Sequence, residues 1–213
     1  MFKTILFLHG FLGRKEDFDT VIAHLPGFSC TAIDWGSVED VRSAMRRLQP
    51  DVVVGYSMGG RVALSLKAPS RVILSAHIGL STPGERARRW EEDTQWIERL
   101  RTLPIEEFLS LWYAQPLFAS LKGRPAPFQK HLDKDKLAAM LSELSLAKQD
   151  RYTDFPNTFF LCGKKDFKYC SLYRTLPHLE LEGGHALHLE NPRGCAEAIA
   201  NFCRSLVFTL NLT

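Results

Sequence analysis

One stretch limits the possible folds of this chain more than any other: a β-branched apolar run that breaks into Gly-x-Ser-x-Gly and continues with helix-forming residues. The run is Val52-Val53-Val54, the serine is Ser57, and Val62-Ala63 follows in the helical part. A serine at a sharp strand-to-helix turn needs small neighbours, because the backbone there is strained and closely packed. Gly55 and Gly59 meet that need. The pattern predicts a nucleophile elbow, with Ser57 at a helix N-terminus whose free N–H groups favour negative charge.

Short apolar strands alternate with helices on both sides of this turn. Continuous apolar runs are typical of strands buried on both faces, and their alternation with helices predicts right-handed crossovers and a parallel sheet. The predicted strands are Thr4–Leu8, Cys30–Ile33, Val52–Val54, Arg71–Ser75, Thr158–Cys162 and His178–Leu181. The predicted helices are Glu16–Leu25, Val38–Leu48 with Ser37 as its cap, Ser57 to Lys67, and Pro192 to Leu206. These assignments give an α/β fold with a mostly parallel sheet of about six strands.

The alternation stops over residues 80–150, where the sequence becomes helical, aromatic and charged. We expect this segment to be a helical cap inserted into an α/β core formed by residues 1–79 and 151–213. Residues Gly123–Pro127 are the most loop-like part of the insertion and are predicted to form a hinge or an exposed turn.

Composition and charge exclude several classes of protein. With 213 residues, 45% of them hydrophobic, the chain can bury a substantial core, and no apolar run is long enough for a membrane span. The run Thr4–Leu8 is too short for a signal-peptide core, so a cytoplasmic location is expected. Five cysteines without a Cys-x-x-Cys pair argue against a disulfide framework. A net charge of +3 is too small to indicate a nucleic-acid partner, although the arginines between Arg86 and Arg101 would suit an anionic small molecule.

A serine hydroxyl becomes reactive when an imidazole takes its proton and a carboxylate orients that imidazole. Asp166 follows the predicted strand Thr158–Cys162, and His185 follows the last strand after Gly183-Gly184. The order Ser57, Asp166, His185 is that of the α/β-hydrolases. All three residues follow carboxyl ends of parallel strands, where ligands bind in open α/β sheets. The sequence therefore predicts a Ser-His-Asp triad.

Two backbone N–H groups are expected to complete the site as an oxyanion hole. They belong to Met58, which follows the serine, and to Phe11 in the loop after the first strand. His9 in the same loop is expected to stabilise that loop rather than to transfer protons.

The sequence leaves alternatives to the triad open. His188 is the second candidate for the base, while Asp150 and Asp154 are alternatives for the acid that do not follow a strand. The role of His77, which follows a buried strand, stays open. The two glycines before His185 predict a tight, exposed loop for that histidine.

Longer motifs extend the pattern over nearly the whole chain. They are Gly55–Ala63 around the serine, Glu85–Arg89 with Gln95-Trp96, Trp112–Leu121, and Gly184–Pro192 around the histidine. On these motifs the sequence resembles the 2-succinyl-6-hydroxy-2,4-cyclohexadiene-1-carboxylate synthases of menaquinone biosynthesis, a family with the α/β-hydrolase fold. Triad motifs occur throughout that fold, so the motifs of the insertion are the ones that point to this synthase family.

The resemblance implies elimination of pyruvate from a cyclohexene carboxylate that bears succinyl and enolpyruvyl groups, with no metal or organic cofactor. The triad would act as a base on a carbon-bound proton, and the oxyanion hole would hold an enolate. Whether Ser57 itself takes the proton stays open. A polyanionic substrate calls for fixed cations. The motif matches assign the cations to Arg61, Arg89 and Arg86 and the pocket wall to Tyr56, Trp112 and Phe118.

Each of these substrate-binding residues has a structural alternative. Arg89 has Glu85 and Asp93 at helical i, i+4 spacing, so an ordinary ion pair would also account for it. Arg61 would equally brace the helix after the serine. The two aromatic residues of the insertion would equally belong to the core of the cap.

The sequence also departs from the family pattern. Almost no chain precedes Thr4, so the antiparallel strands that usually open this fold are not expected. The loop Asp34–Ser37 is short, and Ala76-His77-Ile78 stands where the family has a glycine-rich turn. The main alternative function is a serine carboxylesterase, a thioesterase or a carbon–carbon bond hydrolase that forms an acyl-enzyme. A non-catalytic relative is disfavoured because all three triad residues are present.

Overall fold

The structure is a computed structural model that describes residues 3–121 and 132–210, without the side chains of residues 207–210. The predicted turn at Gly123–Pro127 lies outside the described residues.

The described residues form one six-stranded parallel sheet. Its strands are β1 (Thr4–Leu8), β2 (Ser29–Ile33), β3 (Val52–Tyr56), β4 (Ser70–Leu74), β5 (Thr158–Gly163) and β6 (His178–Leu181). Their order across the sheet is β2-β1-β3-β4-β5-β6, and each neighbouring pair is parallel. The chain thus moves first to one side of β1 and then to the other, which opens a crevice at the carboxyl ends of β1 and β3. The predicted sheet is confirmed.

Helices cover the sheet and follow the strands in the expected order. They are α1 (Asp19–Ala23), α2 (Val38–Leu48), α3 (Met58–Ser65), α4 (Pro83–Thr102), α5 (Ile105–Tyr113), α6 (Lys134–Glu143), α7 (Phe167–Tyr173), α8 (Leu187–Glu190) and α9 (Pro192–Leu210). Shorter 3-10 turns occupy Lys15–Phe18, Pro116–Leu121 and Leu146–Lys148.

The first predicted helix, Glu16–Leu25, is wrong as a continuous helix. A 3-10 turn precedes α1, because the carboxylate of Asp17 accepts a hydrogen bond from the N–H of Arg14 at 3.0 Å and tightens this turn. The last turn also closes early, since the N–H of Leu25 donates to the carbonyl of Ile22 at 2.9 Å before Pro26.

The predicted cap of α2 is confirmed. The N–H of Asp40 donates to Ser37 Oγ at 3.2 Å, and the carboxylate of Asp40 accepts from the N–H of Ser37 at 2.9 Å. This reciprocal pair satisfies two amide groups that helical hydrogen bonding leaves unpaired.

The described residues between β4 and β5 are largely helical, as the sequence predicts. α4 packs against α5, α6 and the 3-10 turn Leu146–Lys148. Ile97, Leu100 and Phe108 are buried among these elements. The helices cover the expected insertion, whereas its separation from the core as a domain stays a prediction.

Two apolar clusters cover the two faces of the sheet. Leu6, Val53 and Ile73 belong to one cluster, and their chain neighbours Ile5 and Val52 belong to the other. Alternate side chains of a strand point to opposite faces, so both faces of these strands are buried, as their continuous apolar runs predict. No helix among the described residues is long and apolar enough to cross a membrane.

Candidate active site

Ser57 lies between β3 and α3 in a strained turn, with φ of 50° and ψ of −112°. Its N–H donates to the carbonyl of Leu74 at 2.9 Å, and its carbonyl accepts from the N–H of Arg61 at 3.1 Å. A non-glycine residue at positive φ persists only when its surroundings hold it there, and such residues cluster at active sites. The local structure is the predicted nucleophile elbow.

The two glycines of the motif allow the close packing of this turn. A Cβ on Gly55 would lie 2.5 Å from the carbonyl oxygen of Gly59, and a Cβ on Gly59 would overlap the carbonyl oxygens of Leu8 and His9. The elbow therefore packs directly on the carboxyl end of β1, which a side chain at either position would prevent.

The three residues of the predicted triad come together above the sheet. His185 Nδ1 lies 2.8 Å from Asp166 Oδ2, and His185 Nε2 lies 3.3 Å from Ser57 Oγ. Asp166 and His185 are 5% and 1% exposed. This arrangement lets the carboxylate orient the imidazole and lets the imidazole accept the proton of the hydroxyl.

The predicted exposed loop at His185 is wrong, because the histidine is buried. The rings of Tyr56, Phe118 and Tyr169 lie 5.2 to 5.7 Å from its imidazole, measured between ring centroids. Aromatic packing holds the imidazole in one orientation and keeps water from most of its surface.

Hydrogen bonds between loops position the acid and the base. The N–H of Lys165 donates to the carbonyl of Gly183 at 2.9 Å, which joins the loop after β5 to the loop after β6. Glu190 accepts from the N–H of Gly184 at 3.0 Å and from Ser120 Oγ at 3.0 Å. Glu190 thus ties the loop before His185 to the insertion. Glu190 lies within the motif Gly184–Pro192, but the motif alone does not predict these hydrogen bonds.

The two expected oxyanion-hole residues line the same cavity as Ser57. A Cβ on Gly10 would lie 3.3 Å from Ser57 Cβ, so the loop that carries Phe11 lies against the serine. Within the described ranges, neither the N–H of Phe11 nor that of Met58 donates to a backbone carbonyl. Both groups are therefore available to a ligand oxygen.

His9 holds this loop, as expected. Its Nδ1 lies 2.7 Å from the carbonyl oxygen of Gly10, and its ring stacks on Trp35 at 5.4 Å between centroids. Burial lowers the pKa of His9, so the ring is neutral and donates its Nδ1 proton to that carbonyl.

A cavity of about 470 Å³ opens beside Ser57 between the sheet and the insertion. The described residues that line it include most of those expected from the sequence: Phe11, Tyr56, Ser57, Met58, Arg61, Arg89, Trp112, Phe118 and Asp166. This volume suits a ligand of metabolite size.

Arg61 and Arg89 reach this cavity from two different helices. Arg61 on α3 donates through Nη1 to the carbonyl of Leu144 at 2.7 Å, and burial lowers its pKa to about 10. Arg89 on α4 donates through Nε to Asp93 at 2.9 Å, and Asp93 also accepts from Ser145 Oγ at 2.6 Å. The predicted alternative of an Arg89–Asp93 pair is present, but it engages only Nε, and Arg89 still lines the cavity.

The expected substrate contact of Arg86 is wrong. Arg86 is not among the described residues that line the cavity, and its guanidinium donates to the carbonyls of Leu80, Ala147 and Gln149. These carbonyls flank the helices of the insertion, so Arg86 joins the two ends of that segment.

Trp112 and Phe118 line the cavity and also pack against other side chains. Trp112 packs against Phe11 at 4.9 Å and against Trp96 at 4.9 Å between centroids. Phe118 covers His185 at 5.7 Å. Both functions assigned to these rings, cavity wall and cap core, are thus compatible.

Two further histidines lie near the triad. His188 is buried between Phe18 and Tyr56, its ring nitrogens have no partner among the described residues, and burial lowers its pKa to about 3. It does not contact the serine hydroxyl, unlike His185. His77 lines the cavity, and burial together with the charge of Lys168 lowers its pKa to about 4.

The alternative acids, Asp150 and Asp154, are not among the described residues that line the cavity. Outside the cavity, Cys162, Cys170 and Glu180 place their ligand atoms within 4.8 Å of one another. These three are the described side chains whose spacing would suit a metal ion.

Comparisons with known proteins agree with this geometry. The model of the alpha/beta hydrolase family matches residues 5–198. The chain is 31% identical over 236 residues to the 2-succinyl-6-hydroxy-2,4-cyclohexadiene-1-carboxylate synthase of Salmonella agona (strain SL483), which covers 94% of each protein.

Solved structures show the same fold. The chain superposes on MenH from S. aureus with a TM-score of 0.83 at 20% identity, over 95% of this chain and 94% of that one. A thermophilic esterase from Thermogutta terrifontis gives a TM-score of 0.67 at 18% identity, over 95% and 90%. At these identities the two structures bear on the fold and not on the reaction.

Proposed function

The chain belongs to the alpha/beta hydrolase family and, within it, to the family of 2-succinyl-6-hydroxy-2,4-cyclohexadiene-1-carboxylate synthases, and from this premise we propose that its Ser57, His185 and Asp166 catalyse the pyruvate elimination that yields this product. The substrate would be 2-succinyl-5-enolpyruvyl-6-hydroxy-3-cyclohexene-1-carboxylate. The observation that carries the proposal is a complete hydrogen-bonded triad beside a cavity lined by two arginines.

The proposed reaction begins with removal of the ring proton next to the succinyl carbonyl. His185 Nε2 takes this proton, either directly or through Ser57 Oγ, and the electron pair of the broken C–H bond forms an enolate. The N–H groups of Phe11 and Met58 would stabilise the enolate oxygen. When the carbonyl re-forms, the electrons expel the enolpyruvyl group by C–O cleavage. His185 then returns the proton, and the enol becomes pyruvate.

The arginines support a polycarboxylate substrate. A guanidinium binds a carboxylate through paired N–H donors, and such charge-assisted bonds are stronger than neutral ones. Arg61 and Arg89 both line the cavity, one on α3 and one on α4. An esterase that acts on neutral esters has no use for these charges.

The test of this function is the substitution Ser57→Ala. We expect it to reduce pyruvate release from the enolpyruvyl substrate by at least about 10³-fold, because it removes the hydroxyl that completes the triad, whether that hydroxyl relays the ring proton or positions the substrate for His185. Lactate dehydrogenase with NADH measures the pyruvate. Unchanged turnover would exclude the proposed role of the triad.

A second assay separates the synthase from a serine esterase or thioesterase. The wild-type protein is offered the enolpyruvyl substrate and p-nitrophenyl acetate, and the two values of kcat/KM are compared. We expect the enolpyruvyl substrate to be preferred. A higher value for the ester would favour the hydrolase alternative and an acyl-enzyme on Ser57.

The remaining proposals concern location and partners. All five cysteines are free thiols, which supports a location in the reducing cytoplasm. The proposed partner is the small anionic substrate alone.

A further inference from the structure

Lys168 is a cation of the cavity wall whose position was not predicted from the sequence. It lies in the first turn of α7, two residues after Asp166, and lines the cavity together with Arg61 and Arg89. Within the part of the chain that the structure describes, no carboxylate lies within ion-pair distance of Lys168 Nζ. The ammonium group lies 5.7 Å from the ring centroid of Tyr169.

Arg61, Arg89 and Lys168 therefore line the cavity from three helices, and Lys165 lines it from the loop before α7. Desolvation lowers the pKa of Lys168, and the charges of Arg89 and Arg61 lower it further, while Asp166 and Glu92 act in the opposite direction. Such repulsion between like charges disfavours the empty site and is relieved when an anion binds among them.

Most acidic groups of the cavity already have partners. Asp93 accepts from Arg89 and Ser145, and Asp166 accepts from His185. Asp17 accepts from the N–H of Arg14 at 3.0 Å. These carboxylates are engaged in holding the structure, and none of them forms an ion pair with Lys168, although the charge of Asp166 acts on it from a distance.

We propose that Lys168 binds a carboxylate of the substrate together with Arg89, so that the bound substrate joins α7 of the core to α4 of the insertion. Which molecule supplies the carboxylate rests on the proposed function, whereas the existence of an anion site between α7 and α4 does not. Lys168 would then set specificity for substrates with a further acidic group beyond the one that Arg61 holds.

Two other roles for Lys168 must be separated from this one. First, Lys168 is two residues after Asp166, so its charge would act on the triad electrostatically without contacting the substrate. Glu92 on α4 lines the cavity and is the remaining acid whose charge acts on Lys168, so the lysine would alternatively pair with it.

The kinetic test compares Lys168→Gln, Lys168→Arg and the control Lys164→Gln. Lys164 pairs with Glu182 and is not among the described residues that line the cavity. For Lys168→Gln we expect KM for the enolpyruvyl substrate to rise about tenfold, the loss of one charge-assisted contact, with little change in kcat. Lys168→Arg restores most of the affinity, and the control leaves both constants unchanged. A shifted pH profile of kcat with constant KM would overturn the proposal in favour of triad tuning.

The binding test does not depend on turnover. Product binding is measured by isothermal titration calorimetry, and succinate binding by the shift in Tm at constant ionic strength. We expect Lys168→Gln to weaken both, and Glu92→Gln to weaken neither. Equal loss of stability in Lys168→Gln and Glu92→Gln without ligand would show instead that these two residues pair.

The outcomes also separate this inference from the proposed function. If the wild-type protein fails to bind the product but shows a Lys168-dependent response to succinate, the proposed function fails and the anion site stands. If the product binds wild-type protein and Lys168→Gln equally well, the inference about Lys168 fails alone.

Discussion

His185 and His188 are three residues apart, and their imidazole rings differ in their hydrogen-bond partners. His185 has a carboxylate on one ring nitrogen and a hydroxyl on the other. His188 packs against the rings of Phe18 and Tyr56, and both of its nitrogens have no hydrogen-bond partner within the described residues. A proton on His185 is compensated by Asp166, whereas a proton on His188 would be an uncompensated buried charge. The choice of base is therefore made by environment.

The surroundings of His188 make the protein sensitive to acid. The pKa of His188 falls from 6.5 to about 3 on folding, so the unfolded chain binds more protons than the folded one between these values. The contribution of His188 to stability is present above about pH 6.5 and is lost progressively as the pH falls towards about 3. When the pH falls from about 7 to about 5, the free energy of unfolding decreases in both proteins. We expect this decrease to be about 2 kcal/mol smaller in His188→Leu than in wild type.

Urea-induced unfolding at the two pH values measures this difference. His188→Gln is the matched variant, because it keeps a polar side chain but cannot titrate in this range. Both variants are expected to show the weaker pH dependence. If either keeps the full wild-type dependence, His188 is not its source.

At the scale of elements, the buried carboxylate of Asp93 orients the side chain of Arg89 on α4. Asp93 is 2% exposed and joins Arg89 to Ser145, which follows α6. The bond uses Nε of the guanidinium, and within the described parts of the chain the Nη groups form no ion pair, which leaves them to a ligand. The sequence predicted this pair only as an alternative to substrate binding, whereas the geometry makes the pair a support for it.

Asp93→Asn tests this support. We expect KM to rise about tenfold, equivalent to about 1.4 kcal/mol, because the guanidinium loses its fixed orientation, while kcat changes little. The control is Ser145→Ala, which keeps the Arg89–Asp93 bond and should lower Tm without raising KM. Steady-state kinetics with the enolpyruvyl substrate and thermal unfolding give both values. A lower KM in Asp93→Asn would show that the carboxylate competes with the substrate.

The accuracy of the sequence predictions also differs between elements. The apolar strands were placed within one or two residues, because a run such as Val52–Val54 has few alternatives to a buried strand. The helix predicted over Glu16–Leu25 failed because the Asp17 side chain, which periodicity does not report, tightens its first turn. Local chemistry decided that case.

At the scale of the whole molecule, the site combines groups from distant parts of the chain. Chain order and strand ends were sufficient to predict Ser57, Asp166 and His185. The hydrogen bonds of Glu190 and the place of Lys168 in the cavity wall were not predictable, because they depend on loops and helices that only the folded protein brings together.

The position of the base in the sheet predicts how activity is lost. His185 follows β6, a four-residue strand at the edge of the sheet that pairs with β5 alone among the described strands. Edge elements with few partners open at lower free energy than central strands. We expect pyruvate release to decline at lower urea concentrations than the far-ultraviolet circular dichroism signal. Coincident midpoints would show that β6 unfolds together with the rest of the sheet.

The backbone alone holds Ser57 in its strained turn, through hydrogen bonds to Leu74 and Arg61 and through the two glycines that flank it. Among the described residues, the hydroxyl forms a hydrogen bond only with His185, so it anchors no other part of the scaffold. Chemistry and scaffold are consequently separable here, so the side chain at this position can be exchanged during evolution without rebuilding the protein.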